Sequence, residues 1–179
     1  NDYRVEWENE DAAYVAVFNI DMYEAEERGT VYKDGEEMAD PKDALEHAYL
    51  RFINDVYWLK APVKVFDDGV NRSYEPDSSD ASHNVFSLTF EDVGLTPDDQ
   101  YWFFVNKDTG LMDRWTYVLE RAPDAPPESY TWEAYQELDT PVGPVRIATR
   151  KPAEDGHRVM HTPVYEIGTD NVTELLQSG

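Results

Sequence analysis

Tyr101-Trp102-Phe103-Phe104-Val105-Asn106-Lys107-Asp108-Thr109-Gly110-Leu111-Met112-Asp113-Arg114-Trp115-Thr116-Tyr117-Val118 decides how this chain folds. Two runs rich in aromatic and β-branched residues flank a polar centre, the pattern of an antiparallel hairpin. Gly110 supplies the left-handed residue that closes a four-residue loop. A regular ladder from that loop pairs Asn106 with Leu111, Phe104 with Asp113 and Trp102 with Trp115. Residues that face each other across a ladder share a side of the sheet. One side is therefore expected to carry Trp102, Phe104, Trp115 and Tyr117, and the other Tyr101, Phe103, Val105, Met112, Arg114 and Val118. A half-solvated ribbon would be polar on one side. A ribbon that is apolar on both needs two covers, a helix on one side and a second layer, a partner or a ligand on the other.

Moving outward, residues 85–90 alternate, with Phe86, Leu88 and Phe90 on one face and Ser87 and Thr89 on the other. Further strands are expected at 12–20, 29–33, 130–138, 144–150 and 157–167, with a tight turn at Asp34-Gly35. Asp40-Pro41-Lys42-Asp43 opens a helix. Its stripe runs Leu45, Ala48, Tyr49, Phe52, Ile53, Val56 and Tyr57, and the helix is expected to end before Pro62. The polar stretch 67–83 reads as a loop. One helix with about eight strands makes the fold class α+β, built on a large antiparallel sheet.

The 179 residues suit a single domain, 1–179, large enough to bury a core without disulfides or metal. A 41% hydrophobic and 13% aromatic content excludes a disordered acidic tail. No apolar run approaches the ~20 residues of a membrane-spanning helix. With 38 acidic against 15 basic residues the net charge is −23, which excludes nucleic acid as a favoured partner. So large a charge opposes compaction unless salt screens it, and a high-salt environment is the expectation that follows.

Residue patterns for chemistry are sparse. With no cysteine, thiolate catalysis and thiolate zinc sites are excluded. No two of the nine glycines form G-x-G, and no serine lies in a G-x-S-x-G elbow. His157 and His161 on a strand lie about 13 Å apart, too far to share an ion with ligand bonds near ~2 Å. Among 38 carboxylates any acid pair is uninformative, so a hydrolase reading has nothing specific behind it. Arg146, Arg150, Lys151 and Arg158 reverse the charge locally and are expected to pair with neighbouring acids. Arg114, among apolar neighbours, needs a partner or the mouth of a pocket. No catalytic residue, cofactor or metal is expected.

The segments Asn54-Asp55-Val56-Tyr57-Trp58-Leu59-Lys60-Ala61-Pro62-Val63-Lys64, Val93-Gly94-Leu95-Thr96-Pro97-Asp98-Asp99-Gln100-Tyr101-Trp102 and Asp108-Thr109-Gly110-Leu111 resemble a family of bacterial envelope proteins of uncharacterised function. That family is associated with the fold of the lipoprotein carriers LolA and LolB. The resemblance spans roughly 40–150 and implies an incomplete antiparallel barrel wrapped around one or more helices. It also implies a periplasmic or cell-envelope location. Because the chain starts at Asn1 and not at Met, a signal or lipid-attachment segment is expected to have been cut away. The expected ligand is a lipid or lipoprotein acyl chain, with another envelope protein as a further partner. Trp102, Phe104, Trp115 and Tyr117 are the expected lining, with Trp58 at its edge and Arg114 at its mouth. The competing expectation is a structural or interaction module whose core is filled by its own side chains.

The charge reading has a direct check. The melting temperature should climb as KCl is raised from about 0.1 M to about 3 M, because the Debye length contracts from ~10 Å to a few ångströms. A melting curve indifferent to salt would remove the high-salt expectation.

Overall fold

A computed structural model describes residues 2–22, 28–91, 96–139 and 143–162. The class is α+β: three antiparallel sheets and one α-helix among the described residues. They fall into two compact units that divide between Tyr57 and Trp58.

In the first unit, β1 (Asp2–Glu8), β2 (Ala13–Asn19), β3 (Gly29–Lys33) and β4 (Glu36–Glu37) form a sheet in sequence order. Asp34 and Gly35, both at positive φ (53° and 85°), make the expected tight turn. Strand β1 was not anticipated, because its apolar residues Tyr3, Val5 and Trp7 alternate with charged ones. That alternation puts all three on the face that also carries Tyr14, Ala16 and Phe18. Leu45, Ala48, Tyr49 and Phe52 of helix α1 (Lys42–Lys64) complete this core with Val31. Gly29 is needed where β3 passes Phe18. A Cβ there would sit 2.6 Å from the Phe18 Cβ and 2.4 Å from the Val17 carbonyl oxygen.

Helix α1 runs past the expected stop at Pro62. Lys60 takes non-helical angles (φ −135°, ψ 24°), so α1 is two helical segments joined at a kink. Pro62 then falls in the first turn of the second segment, where a missing N–H costs nothing.

In the second unit, β5 (Val70–Tyr74), β6 (His83–Phe90), β7 (Gln100–Asn106), β8 (Met112–Val118) and β9 (Glu128–Thr131) form a five-stranded sheet in sequence order. A second sheet holds β10 (Glu133–Leu138), β11 (Val145–Pro152) and β12 (Val159–His161). Two expectations are corrected here. The stretch read as loop contains edge strand β5, whose exposed polar residues hid it. The strand expected over 130–138 is broken after Thr131, with Ala134 at φ 53°. The break lets the chain pass from one sheet to the next. A Tyr130–Ala153 bridge and a Glu154 N–H to Ser129 carbonyl bond (2.9 Å) join the two sheets. The strand expected over 157–167 is seen at Val159–His161, and its continuation past Thr162 lies outside the described residues.

The hairpin loop forms as read. The Asn106 N–H donates to the Leu111 carbonyl (2.8 Å), Gly110 sits at φ 70°, and the Asn106 side chain caps the N–H groups of Asp108 and Thr109. The register beyond it differs from expectation. Val105 pairs with Met112 but Phe104 with Arg114, so Asp113 is an extra residue, a β-bulge. Its carboxylate accepts from Asn106 Nδ2 (3.1 Å) and meets His83 Nε2 (2.9 Å). Its carbonyl accepts from the Trp132 N–H (2.8 Å). One extra residue exchanges the faces of everything after it.

Lys151 is fully buried. Its ammonium donates to the Ala148 carbonyl (2.6 Å) and the Thr162 hydroxyl (2.7 Å) and lies 4.4 Å from the Trp132 ring centroid. Desolvation pushes its pKa down to about 8 from 10.5. Below pH 8 the unfolded chain keeps the proton more readily than the folded one, so the charged lysine costs stability. The cost is relieved as pH rises from about 8 toward the unfolded value. Urea unfolding should therefore show about 1 kcal/mol more stability at pH 9 than at pH 7. Lys151→Met should remove that slope and be at least as stable as the wild type at pH 7. A slope unchanged in the variant would assign it to other groups.

Candidate functional site

The bulge places Trp115 opposite Phe103 and Tyr117 opposite Tyr101. The expected quartet of Trp102, Phe104, Trp115 and Tyr117 is therefore split across the sheet. Trp115 and Tyr117 lie on one face, while Trp102, Phe104 and Arg114 lie on the other. Trp58, expected at the edge, stands in the middle of the first group.

That group is a continuous ring cluster. The Trp58 ring centroid lies 4.6 Å from Trp115, 4.8 Å from Tyr130 and 6.3 Å from Tyr117, each edge-on. Tyr101 lies 5.4 Å from Trp115, Trp132 lies 5.2 Å from it, and Tyr117 stacks on Tyr130 at 6.1 Å. Edge-on and stacked geometries of this kind add to the gain from burial alone. Trp115 is 2% exposed, Tyr130 1% and Trp58 9%, so the cluster's own members cover one another.

The phenolic ends of the cluster are polar. The Tyr117 hydroxyl donates to Glu128 (2.8 Å), and its pKa is raised, first by burial and then by that carboxylate. The Tyr130 hydroxyl reaches toward His157 Nε2 (3.5 Å), whose Nδ1 pairs with Asp155. The backbone N–H of His157 and then its ring hold the Asp155 carboxyl below its ordinary value. Both side chains of the Asp155–His157 pair lie at the surface.

On the other face, Phe104 lies under Arg114, whose guanidinium carbon is 3.6 Å from the ring centroid. Arg114 also pairs with Glu154 (3.3 Å), the partner its apolar surroundings called for. Trp102 is half-buried beside Thr116, whose hydroxyl bonds Ser129 (2.7 Å). His83 stands between Asp113 and Asp80 (3.4 Å). Of the C-terminal cations, Arg146 pairs with Glu137 (3.0 Å) and Arg150 with Glu133, as expected. Lys151 does not follow them.

Three residues of structural weight escaped the sequence reading. Asp113 makes the bulge, and an acid inside an otherwise apolar strand is the signal that could have found it. Tyr130 completes the ring cluster from a strand read only as regular. Asp99, 3% exposed, accepts from the Thr96 hydroxyl (2.8 Å), the Tyr101 hydroxyl (3.0 Å) and the Glu120 N–H (2.8 Å). The Thr96-Pro97-Asp98-Asp99 string thus closes a turn and braces Tyr101 behind the cluster. Val93-Gly94-Leu95 before it lies outside the described residues.

Comparison with protein-family models, curated proteins and solved structures found no match to this chain.

The two faces should respond differently to truncation. Trp115→Ala should cost about 3–5 kcal/mol in urea unfolding. Trp102→Ala, from the half-buried face, should cost roughly 1 kcal/mol. Equal losses would mean that the faces are not divided in this way.

Proposed function

We propose that this chain is a non-catalytic cell-envelope protein of the incomplete-barrel, lipoprotein-carrier kind, and that it binds an apolar ligand, a lipid or acyl chain, at the Trp58 ring cluster. The observation that carries this reading is the placement of Trp58. Over the rings of Trp115, Tyr117 and Tyr130 stands one side chain that comes from outside the sheet, two residues before the helix kink at Lys60. A helix break with non-ladder angles is a place where a short segment can shift without breaking a regular helix. Displacing Trp58 would leave a ring-lined surface for methylenes, each contributing about 0.8 kcal/mol on burial. The phenols of Tyr117 and Tyr130 would remain on Glu128 and near His157, so the ligand's polar end would meet groups already bonded.

The burial of Trp115, Tyr130 and Trp58 favours a second reading, a structural or interaction module whose rings serve only as its core.

Native mass spectrometry after gentle purification, followed by titration with a fluorescent fatty acid, separates the two. The carrier reading expects a bound lipid mass or saturable probe binding. It also expects tryptophan fluorescence to change as Trp58 leaves the cluster, and Trp58→Phe to diminish that change. A bare mass and no saturable binding at any probe concentration would leave the module.

A further inference from the structure

We infer that the five-stranded sheet binds a neutral glycan on the face opposite the ring cluster, with one pyranose ring lying on Trp102, independently of whether the cluster takes a ligand. Of the five tryptophans, Trp7 stacks on Tyr14, and Trp58, Trp115 and Trp132 belong to the ring cluster. Trp102 alone meets no ring, and its indole N–H has no partner, among the described residues. It stays partly exposed on β7, the central strand. Ring packing therefore does not account for an indole at this position.

The ladder sets Trp102 in a row of hydroxyls. Ser73 pairs with Ser87, Ser87 with Trp102, Trp102 with Thr116, and Thr116 with Ser129. Paired residues share a face, so one row crosses all five strands with the indole at its centre and two hydroxyl side chains on each side. The nearest, Ser87 and Thr116, stand one strand spacing away, ~4.8 Å. Both are already oriented. The Ser87 hydroxyl donates to Glu75 (2.6 Å), and the Thr116 and Ser129 hydroxyls share one hydrogen bond (2.7 Å). A hydroxyl has one donor and two acceptor sites, so each keeps capacity for a ligand. Asn71, Thr89 and Gln100, all exposed, lie on the same face two residues along their strands from Ser73, Ser87 and Trp102.

The chemistry of the row identifies the ligand. A pyranose with equatorial substituents has a face of axial C–H groups and a rim of hydroxyls. Its C–H groups carry slight positive charge and lie favourably on the negative face of the indole. Its rim exchanges hydrogen bonds with Ser87 and Thr116 on either side, the few fixed polar groups that orient a ligand. A purely apolar ligand would cover these hydroxyls without replacing their bonds to water. Charge excludes an acidic ligand. Arg114 on this face is matched by Glu154, and Glu75 adds a negative charge in a chain of −23. A phosphate or carboxylate thus meets no net positive charge here. The row lies on an open sheet face, which suits a flat, extended β-linked chain of sugars.

The test is isothermal titration of the whole chain with cellohexaose and with chitohexaose. Trp102→Leu, which keeps apolar bulk but has no ring, and Thr116→Val, which keeps shape but loses the hydroxyl, are compared with Phe66→Ser. Phe66 is 78% exposed and outside the row, so it controls for loss of a surface ring. Wild-type protein should bind at least one hexasaccharide saturably. Trp102→Leu should weaken that binding about tenfold or more. Thr116→Val should weaken it about fivefold, the loss of one hydrogen bond. Phe66→Ser should leave it unchanged, and melting curves should show all three variants folded at the titration temperature. No saturable binding of either sugar by the wild type overturns the proposal, as does an equal effect of Trp102→Leu and Phe66→Ser. A dimer on sizing chromatography that Trp102→Leu dissolves, with no sugar binding, overturns it in favour of an interface between copies.

Discussion

The carboxylate of Asp113 is drawn out of the β7–β8 ladder by Asn106 and His83, while its carbonyl takes the Trp132 N–H. Those contacts make one residue of β8 surplus to the pairing, and a surplus of one sends Trp115 and Tyr117 to the face that carries Tyr101 and Phe103. The ring cluster follows from that shift. Without it Trp115 and Tyr117 would sit beside Trp102 and Phe104, and Trp58 would lose both as edge-on partners. The Trp132 bond extends the same device toward the neighbouring sheet, because the residue between β9 and β10 is held by the residue that makes the bulge.

Polar groups inside the molecule are handled in two ways. Asp99 is surrounded by three donors, two hydroxyls and one N–H, so its burial leaves little hydrogen-bonding capacity idle. Lys151 is held by one carbonyl, one hydroxyl and an aromatic face, with no carboxylate beside it among the described residues. In a chain with 38 acids this is a notable choice. The excess negative charge stays on the surface, where salt screens it, while a lone cation is kept where screening does not reach. The arginines near it, Arg146 and Arg150, pair with acids across the β10–β11 ladder at the surface, where such pairs contribute little.

Local signals in the sequence were legible, while signals that depend on counting along a strand were not. The Asp34-Gly35 turn, the Gly110 loop and the Leu45–Ala48–Tyr49–Phe52 stripe rest on one or a few residues whose chemistry allows one conformation, and each is in the structure. Strand β5 was not legible, because an exposed edge strand of five residues has no buried face to advertise. The division of the candidate lining was not legible either. Trp58, Trp115 and Tyr117 are neighbours, as the sequence suggests, but a regular ladder would add Trp102 and Phe104 to them, which the bulge puts on the opposite face. The misassignment propagates from one polar residue, Asp113, and touches every residue beyond it.

The break in α1 falls at Lys60, between Trp58 and Ala61. A regular helix repeats its buried stripe every three to four residues, and the stripe at Leu45, Ala48, Tyr49 and Phe52 is set by the core of the first unit. Trp58 and Ala61 answer to a different set of partners, the rings of β8 and β9 for Trp58 and full burial for Ala61. The non-helical angles at Lys60 start a new helical segment at Ala61, and Pro62 accepts the break because its place in that segment asks for no N–H. Of the residues that follow, Val63 and Phe66 are exposed while Ala61 is fully buried.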